Sequence, residues 1–190
     1  YIGVFVEVAG EAGWDAWGVE PSAWGCAAAQ ERGLNVVRGT LEGADLPAGS
    51  FDVLTMWDVI EHLADPMEGL REAFRILEPG GWIAVHTMDI DSPFARLMGP
   101  RWPWLMEMHV QYFSRRTLAA MLENAGFEVA SVKPEGRHLT VSYLTTRLRA
   151  YSPFIAGAVG AVARLTGLDR APVPVNFGDL VTAYAQKPGG

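Results

Sequence analysis

Apolar positions in residues 4–12 fall at Val4, Phe5, Val8, Ala9 and Ala12, the three-and-four spacing of one helical face, with Gly13 as a stop. The run DAWGVE at residues 15–20 then reads as a short strand burying Trp17 and Val19 on one side. Ser22 is placed to cap a helix reaching about Arg32, with Cys26 and its neighbouring alanines as a small-residue face and Gly33 at its end. LNVVR is a second strand. The following GTLEGADLPAGS, rich in glycine, proline and acids, is a loop that delivers the chain to the strand FDVLTMWD. A helix over residues 67–77 buries Leu70, Phe74 and Leu77, and Pro79-Gly80-Gly81 turns the chain into the strand WIAVHTM. Strands alternating with helical crossovers predict an α/β domain with parallel pairing and helices on both faces.

The second half departs from this alternation. Residues 92–98 read as a short helix, PRWPWLMEMHVQYF as an aromatic and methionine-rich loop, and Ser114 as the cap of a helix through Asn124. Residues 127–132 form another strand. A helical stretch over residues 139–167, interrupted at Pro153, precedes a last strand over residues 175–186. That excursion, about 139–174, is long enough to make a lid or wall. Neither an internal repeat nor a low-complexity tail is present.

Composition narrows the class. At 190 residues, with 49% hydrophobic and 19% charged types, residues 1–190 read as one globular domain. A net charge of -7, with only short basic clusters such as Arg115-Arg116, excludes a general nucleic-acid footprint. The single cysteine excludes an internal disulfide and a multi-cysteine zinc site, and fits a reducing, cytoplasmic compartment. No transmembrane segment is expected, because the strongest apolar stretch near residues 154–163 is too short to span a bilayer.

Candidate chemistry gathers at strand ends. Glu20 closes the second element of the alternation and is followed at once by Pro21 and Ser22, so a short, restrained backbone presents its carboxylate. In an open parallel sheet, ligands bind beyond the carboxyl ends of the strands, and an acid there can accept hydrogen bonds from ribose hydroxyls; a solvated rim charge is the plainer reading. Thr40, Leu41 and Glu42 follow the next strand at the same edge, where Leu41 can pack on an adenine face or merely anchor its loop. Past FDVLTMWD lie Asp58, Glu61 and His62. Asp58 and His62 are four apart, a spacing seen among metal ligands, but the set is short of ligands and no metal is expected. A histidine beside a nucleotide pocket can instead take a proton, or simply cap the next helix. Trp102, Trp104, Met106, Met108, His109, Tyr112 and Phe113 are suited to line an apolar acceptor pocket or to seal a core edge. Residues 139–168 are suited to cover that pocket, to form a homodimer contact or to touch a membrane surface peripherally. The chain lacks a G-x-S-x-G elbow, a complete Walker loop and an H-E-x-x-H motif.

The order GWDAWGVEPS, LNVVRGTLEGADLPAGSFDVLTMWDVIEHLADP and LREAFRILEPGGWIAVHT resembles the class I S-adenosylmethionine-dependent methyltransferases, in particular their small-molecule branch of the ubiquinone-biosynthesis type. HVQYFSRRTLAAMLENAGFEV is similar to that family's later helix and strand. The resemblance implies a Rossmann-like, seven-stranded, mostly parallel sheet whose last strand is antiparallel, with a helical insertion before it. It implies transfer of a methyl group from S-adenosylmethionine to a small, apolar or aromatic acceptor, leaving S-adenosylhomocysteine. Glu20 would hold the cofactor ribose, Pro21 and Ser22 the adenosine side, Thr40, Leu41 and Glu42 the adenine, and Trp57 and Asp58 the methionine portion. His62 and His109 would lie on the acceptor side as catalytic candidates. The family's first strand and most of its glycine-rich turn precede the position matched by Tyr1, so only Gly3 aligns with the end of that turn. Two alternatives stay open: an NAD-dependent oxidoreductase, whose ribose Glu20 would serve equally, and a degenerate methyltransferase-like scaffold.

Overall fold

The computed structural model describes residues 2–149 and 151–190. Helix α1 (Val4–Glu11) precedes β1 (Trp17–Glu20). Ser22 caps α2 (Ala23–Gln30) by accepting the Gly25 N–H at 3.2 Å, and β2 (Asn35–Arg38) pairs parallel to β1. Strand β3 (Phe51–Trp57), a 3-10 turn at Ile60–His62, helix α3 (Pro66–Ile76) and β4 (Leu77–Met88) make the next crossover, with β3 and β4 parallel. Asp65 caps α3 by accepting the N–H groups of Met67 and Glu68, and Pro66 stands at the first helical position, where its missing N–H costs nothing.

Helix α4 (Pro93–Met98) and the aromatic loop follow, then α5 (Arg115–Asn124) and β5 (Glu128–Pro134). Strand β6 (Arg137–Thr140) and helices α6 (Val141–Leu148) and α7 (Pro153–Leu165) lead to β7 (Pro172–Val175), which pairs antiparallel with β6. Strand β8 (Leu180–Gln186) is antiparallel to both β4 and β5, giving the order β3-β4-β8-β5. The α/β fold with an antiparallel last strand is therefore as expected. The main core lies where β4 and β8 bury Ile83, Val85, Val181, Ala183 and Ala185 with Leu70 and Ala73 of α3 and Leu118 and Leu122 of α5. A smaller core of Val6, Cys26, Ala29 and Val36 holds α1 and α2 to β1 and β2.

Several elements differ from expectation. Among the described residues, β1 pairs only with β2 and β3 only with β4, so the core strands form two sheets rather than one continuous seven-stranded sheet. The facing edges of β1 and β3, between which the resemblance puts the family's central first strand, border a cleft of about 340 Å³ that Val19, Val36, Val53 and Thr55 line. Trp17 on that edge is 50% exposed instead of buried, and Val19 is only half-buried. Helix α1 turns Val4, Phe5 and Val8 outward and buries Val6, against the periodicity. Gly18 explains Val6: a Cβ there would stand 2.9 Å from a Val6 methyl, so the absent side chain admits the valine. The expected helix over residues 139–167 begins with β6, and Val175 belongs to β7, not to the last strand. Pro172 and Pro174 stand within β7, because a two-stranded ribbon leaves each strand an edge where proline's missing N–H is tolerated.

Candidate functional site

Parallel strands send their carboxyl ends to one edge of a sheet, and here β1 and β3 bring Glu20 and Trp57 to the mouth of the cleft. Glu20 Oε1 accepts the Ser22 N–H at 2.8 Å, a bond made within the Glu-Pro-Ser exit that steers the carboxylate. Gly25 allows this pose, since a Cβ there would lie 3.2 Å from both Cγ and Cδ of Glu20. Gly3, at φ 73°, closes one side, packed so tightly that a Cβ would meet Leu34 at 2.7 Å and Ala29 at 2.9 Å. Pro21, Thr40 and Leu41 also line the cleft.

Three expected residues flank the cleft without lining it. Ser22 sits behind Glu20 as the α2 cap. Glu42 turns toward α3, its Oε1 3.0 Å from where a Gly69 Cβ would stand. Asp58, at φ 53°, donates its N–H to the His86 carbonyl at 3.1 Å, which bends the chain away as β3 ends. Trp57 ends β3 with its ring 5.3 Å from His86 and 6.3 Å from Phe5. Among the described residues, none of 139–174 lines the cleft.

A second group assembles beyond β3. His62 and His109, 47 positions apart in sequence, face each other edge to face at 4.9 Å. His62 Nδ1 lies 2.8 Å from the Met108 carbonyl and His109 Nδ1 2.8 Å from the Trp104 carbonyl. The N–H groups of Val110 and Gln111 donate to the Glu61 carbonyl at 3.0 and 3.1 Å, stapling the aromatic loop to the 3-10 turn. The loop has a second anchor: the indole N–H groups of Trp102 and Trp104 both donate to Asp179 Oδ2, at 2.9 and 3.0 Å. Arg115 Nε donates to buried Asp89 at 2.9 Å and ties α5 to the same edge.

Glu61 was named beside His62 without a site role of its own, and Asp179 was not among the expected site residues. Glu61 is fully buried; burial is the main cause that holds its carboxyl above the ordinary glutamate range, with Asp58's charge adding, against its own main-chain N–H, the Thr87 hydroxyl and His62. Its place in DVIEHL gave only adjacency to His62 as a signal. Asp179 carried no local signal, because its two indole donors lie 77 and 75 positions away.

Comparison with known proteins places the chain in a family. The methyltransferase domain family matches residues 1–132. A Mycolicibacterium smegmatis protein named probable S-adenosylmethionine-dependent methyltransferase is 36% identical over 97 residues, 50% of this chain and 36% of its own length. A ubiquinone biosynthesis O-methyltransferase of Caulobacter vibrioides is 50% identical over 42 residues, 22% of this chain and 17% of its own length. The matched stretches thus span about a third or less of these curated relatives. The crystal structure of a SAM-dependent methyltransferase from Thermotoga maritima superposes with a TM-score of 0.59 at 26% identity, covering 89% of this chain and 72% of that one. With the matched residues reaching from α1 through most of β5, the chain belongs to the methyltransferase domain family.

Proposed function

We propose that this chain transfers a methyl group from S-adenosylmethionine to a small-molecule acceptor, releasing S-adenosylhomocysteine. The observation that carries the reading is Glu20, a carboxylate steered by the Ser22 N–H at the carboxyl end of β1, on the rim of an apolar cleft. Such a group accepts ribose hydroxyls, while Leu41 and Trp57 offer flat apolar surface for the adenine and methionine portions. S-adenosylmethionine, when bound, supplies a methyl group on a sulfonium centre already activated for displacement. The residues of this chain then have to align an acceptor behind that methyl and keep water out.

For the acceptor we favour an aromatic or otherwise apolar molecule with an ionisable group. The short match to a ubiquinone biosynthesis O-methyltransferase supports this class, as does the loop carrying Trp104, Met106, Met108 and Tyr112 beside the two histidines. Exposed His62 is our candidate for acting on an acceptor proton, directly or through a group that it holds, with buried His109 packed against it.

Calorimetric titration with S-adenosylmethionine tests the cofactor reading. Glu20→Gln should weaken binding by about 1.5 to 3 kcal/mol, the worth of a hydrogen bond to a charged group; equal affinity in the variant rejects the role, and uptake of NAD alone rejects the reading. His62→Ala should lower kcat and leave cofactor affinity unchanged. A wild-type rate across the pH range would remove His62 from the mechanism.

A further inference from the structure

Three side chains outside the cleft converge on one point. One ligand atom from each of Glu61, His62 and His109 lies within 4.8 Å of the other two. Both imidazoles place Nδ1 at hydrogen-bond distance from a main-chain carbonyl, which selects the Nδ1–H tautomer and leaves Nε2 with its lone pair. A histidine oriented through such a bond is already prepared as a metal ligand. Glu61 Oε2 accepts the Thr87 hydroxyl at 2.9 Å, whereas Oε1, fully buried, finds no hydrogen-bond partner among the described residues. An anionic oxygen buried without a partner is costly, and a cation relieves that cost. Asp58 adds a second negative charge acting on Glu61. The staples from Val110 and Gln111 hold the turn and the loop together, so the three ligands stay in place without an ion to gather them.

We propose that Glu61, His62 and His109 form a three-ligand site for a divalent transition-metal ion, open to solvent on the side of exposed His62. Two imidazoles and one carboxylate suit zinc, iron(II), cobalt or manganese better than magnesium or calcium, which favour all-oxygen surroundings. Three protein ligands leave positions for water or an acceptor oxygen. A hydroxyl bound there loses its proton more readily, and the two histidines then act by holding the ion. The site is built wholly from this chain's residues and does not depend on the identity of the methyl donor.

The test uses the untagged 190-residue chain, stripped with chelator, titrated with cobalt(II) and followed by visible absorption, then competed with zinc(II). One equivalent should bind with d–d bands of a low-symmetry site, and zinc should displace it. Glu61→Gln and His109→Ala should weaken binding by ~100-fold or more, at or beyond the range seen for outer-sphere partners. His62→Ala changes an exposed residue and so tests the site without risking the core. His138→Ala, altering an exposed histidine outside the cluster, should bind as wild type. Far-UV circular dichroism checks each variant. A folded wild-type chain that shows no d–d bands overturns the proposal, as do folded His62→Ala protein with unchanged affinity and binding that is lost in His138→Ala. S-adenosylmethionine titrated into the same samples keeps the two readings apart: methyl-donor binding without cobalt binding removes only the metal site, and the reverse removes only the cofactor reading.

Discussion

Glu20 and Gly25 behave as one unit although they lie five positions apart, with a helix cap between them. The carboxylate lies over the first turn of α2, held by the Ser22 N–H, where a Cβ at position 25 would crowd its Cγ and Cδ at 3.2 Å. Two effects of Gly25→Ala therefore oppose each other. Gly25 is the third residue of α2, and alanine is the better helix former, by up to about 0.8 to 1.0 kcal/mol in a helix interior, which favours α2. Its methyl would also press the Glu20 side chain at 3.2 Å, and that flexible carboxylate gives way before the backbone does. The expected outcome is a melting temperature unchanged or raised, together with weaker S-adenosylmethionine binding in calorimetry. Lower stability with full affinity would show that the helix moves and the carboxylate stays. Glu20 was legible from its place before Pro21 and Ser22; the dependence on Gly25 was not, because a missing side chain says nothing about what fills its space until neighbours are known.

Among the elements, α5 shows how local chemistry sets a boundary. Ser114 Oγ accepts the Thr117 N–H at 3.2 Å, and Thr117 Oγ1 accepts the Ser114 N–H at 2.8 Å, a reciprocal capping box. Leu118 and Leu122, fully buried one turn apart, fasten the helix to β5 and β8. Ser114→Ala should cost about 1 kcal/mol of stability by urea denaturation, the usual worth of an N-cap, and an undiminished midpoint would assign the boundary to packing alone. The caps at Ser22 and Ser114 were readable because they act within four residues. Strand β6 was not, since its partner β7 lies across two intervening helices. The aromatic loop shows the same division. Its composition announced an apolar wall, while its position depends on Asp179 and the Glu61 carbonyl.

On the scale of the whole molecule, β8 joins distant parts of the chain by lying antiparallel between β4 and β5. Electrostatics follow that junction. Glu135, after β5, accepts the Tyr184 hydroxyl of β8 at 2.8 Å. Burial pushes its carboxyl upward, but hydrogen bonds from Thr182 and Tyr184 and the charges of Lys133 and His86 outweigh it, leaving the carboxyl below its ordinary value of 4.5. A carboxyl lowered in the folded state contributes stability that is complete above the unfolded value and is lost as the pH falls through the folded one. The stability gap between wild type and Glu135→Gln, from urea denaturation, should thus be widest near neutrality and shrink below pH 4.5. A gap that widens on acidification reverses the assigned sign. Elsewhere, α7 leaves Phe154 and Leu165 86% and 87% exposed, and no helix among the described residues is long and apolar enough to cross a membrane.

Periodicity, caps and strand-end acids determined the alternation through β4, the start of α5, and Glu20 as the residue to watch, while the antiparallel sense of the last strand came from the family resemblance. These depend on interactions spanning a few residues, or on a motif that keeps its spacing. Tertiary structure decided the exposed edge at Trp17, the inward Val6, the β6–β7 ribbon and the meeting of Glu61, His62 and His109. Each rests on which distant backbone comes to lie alongside, and the burial of a side chain is a property of that neighbour as much as of the residue itself.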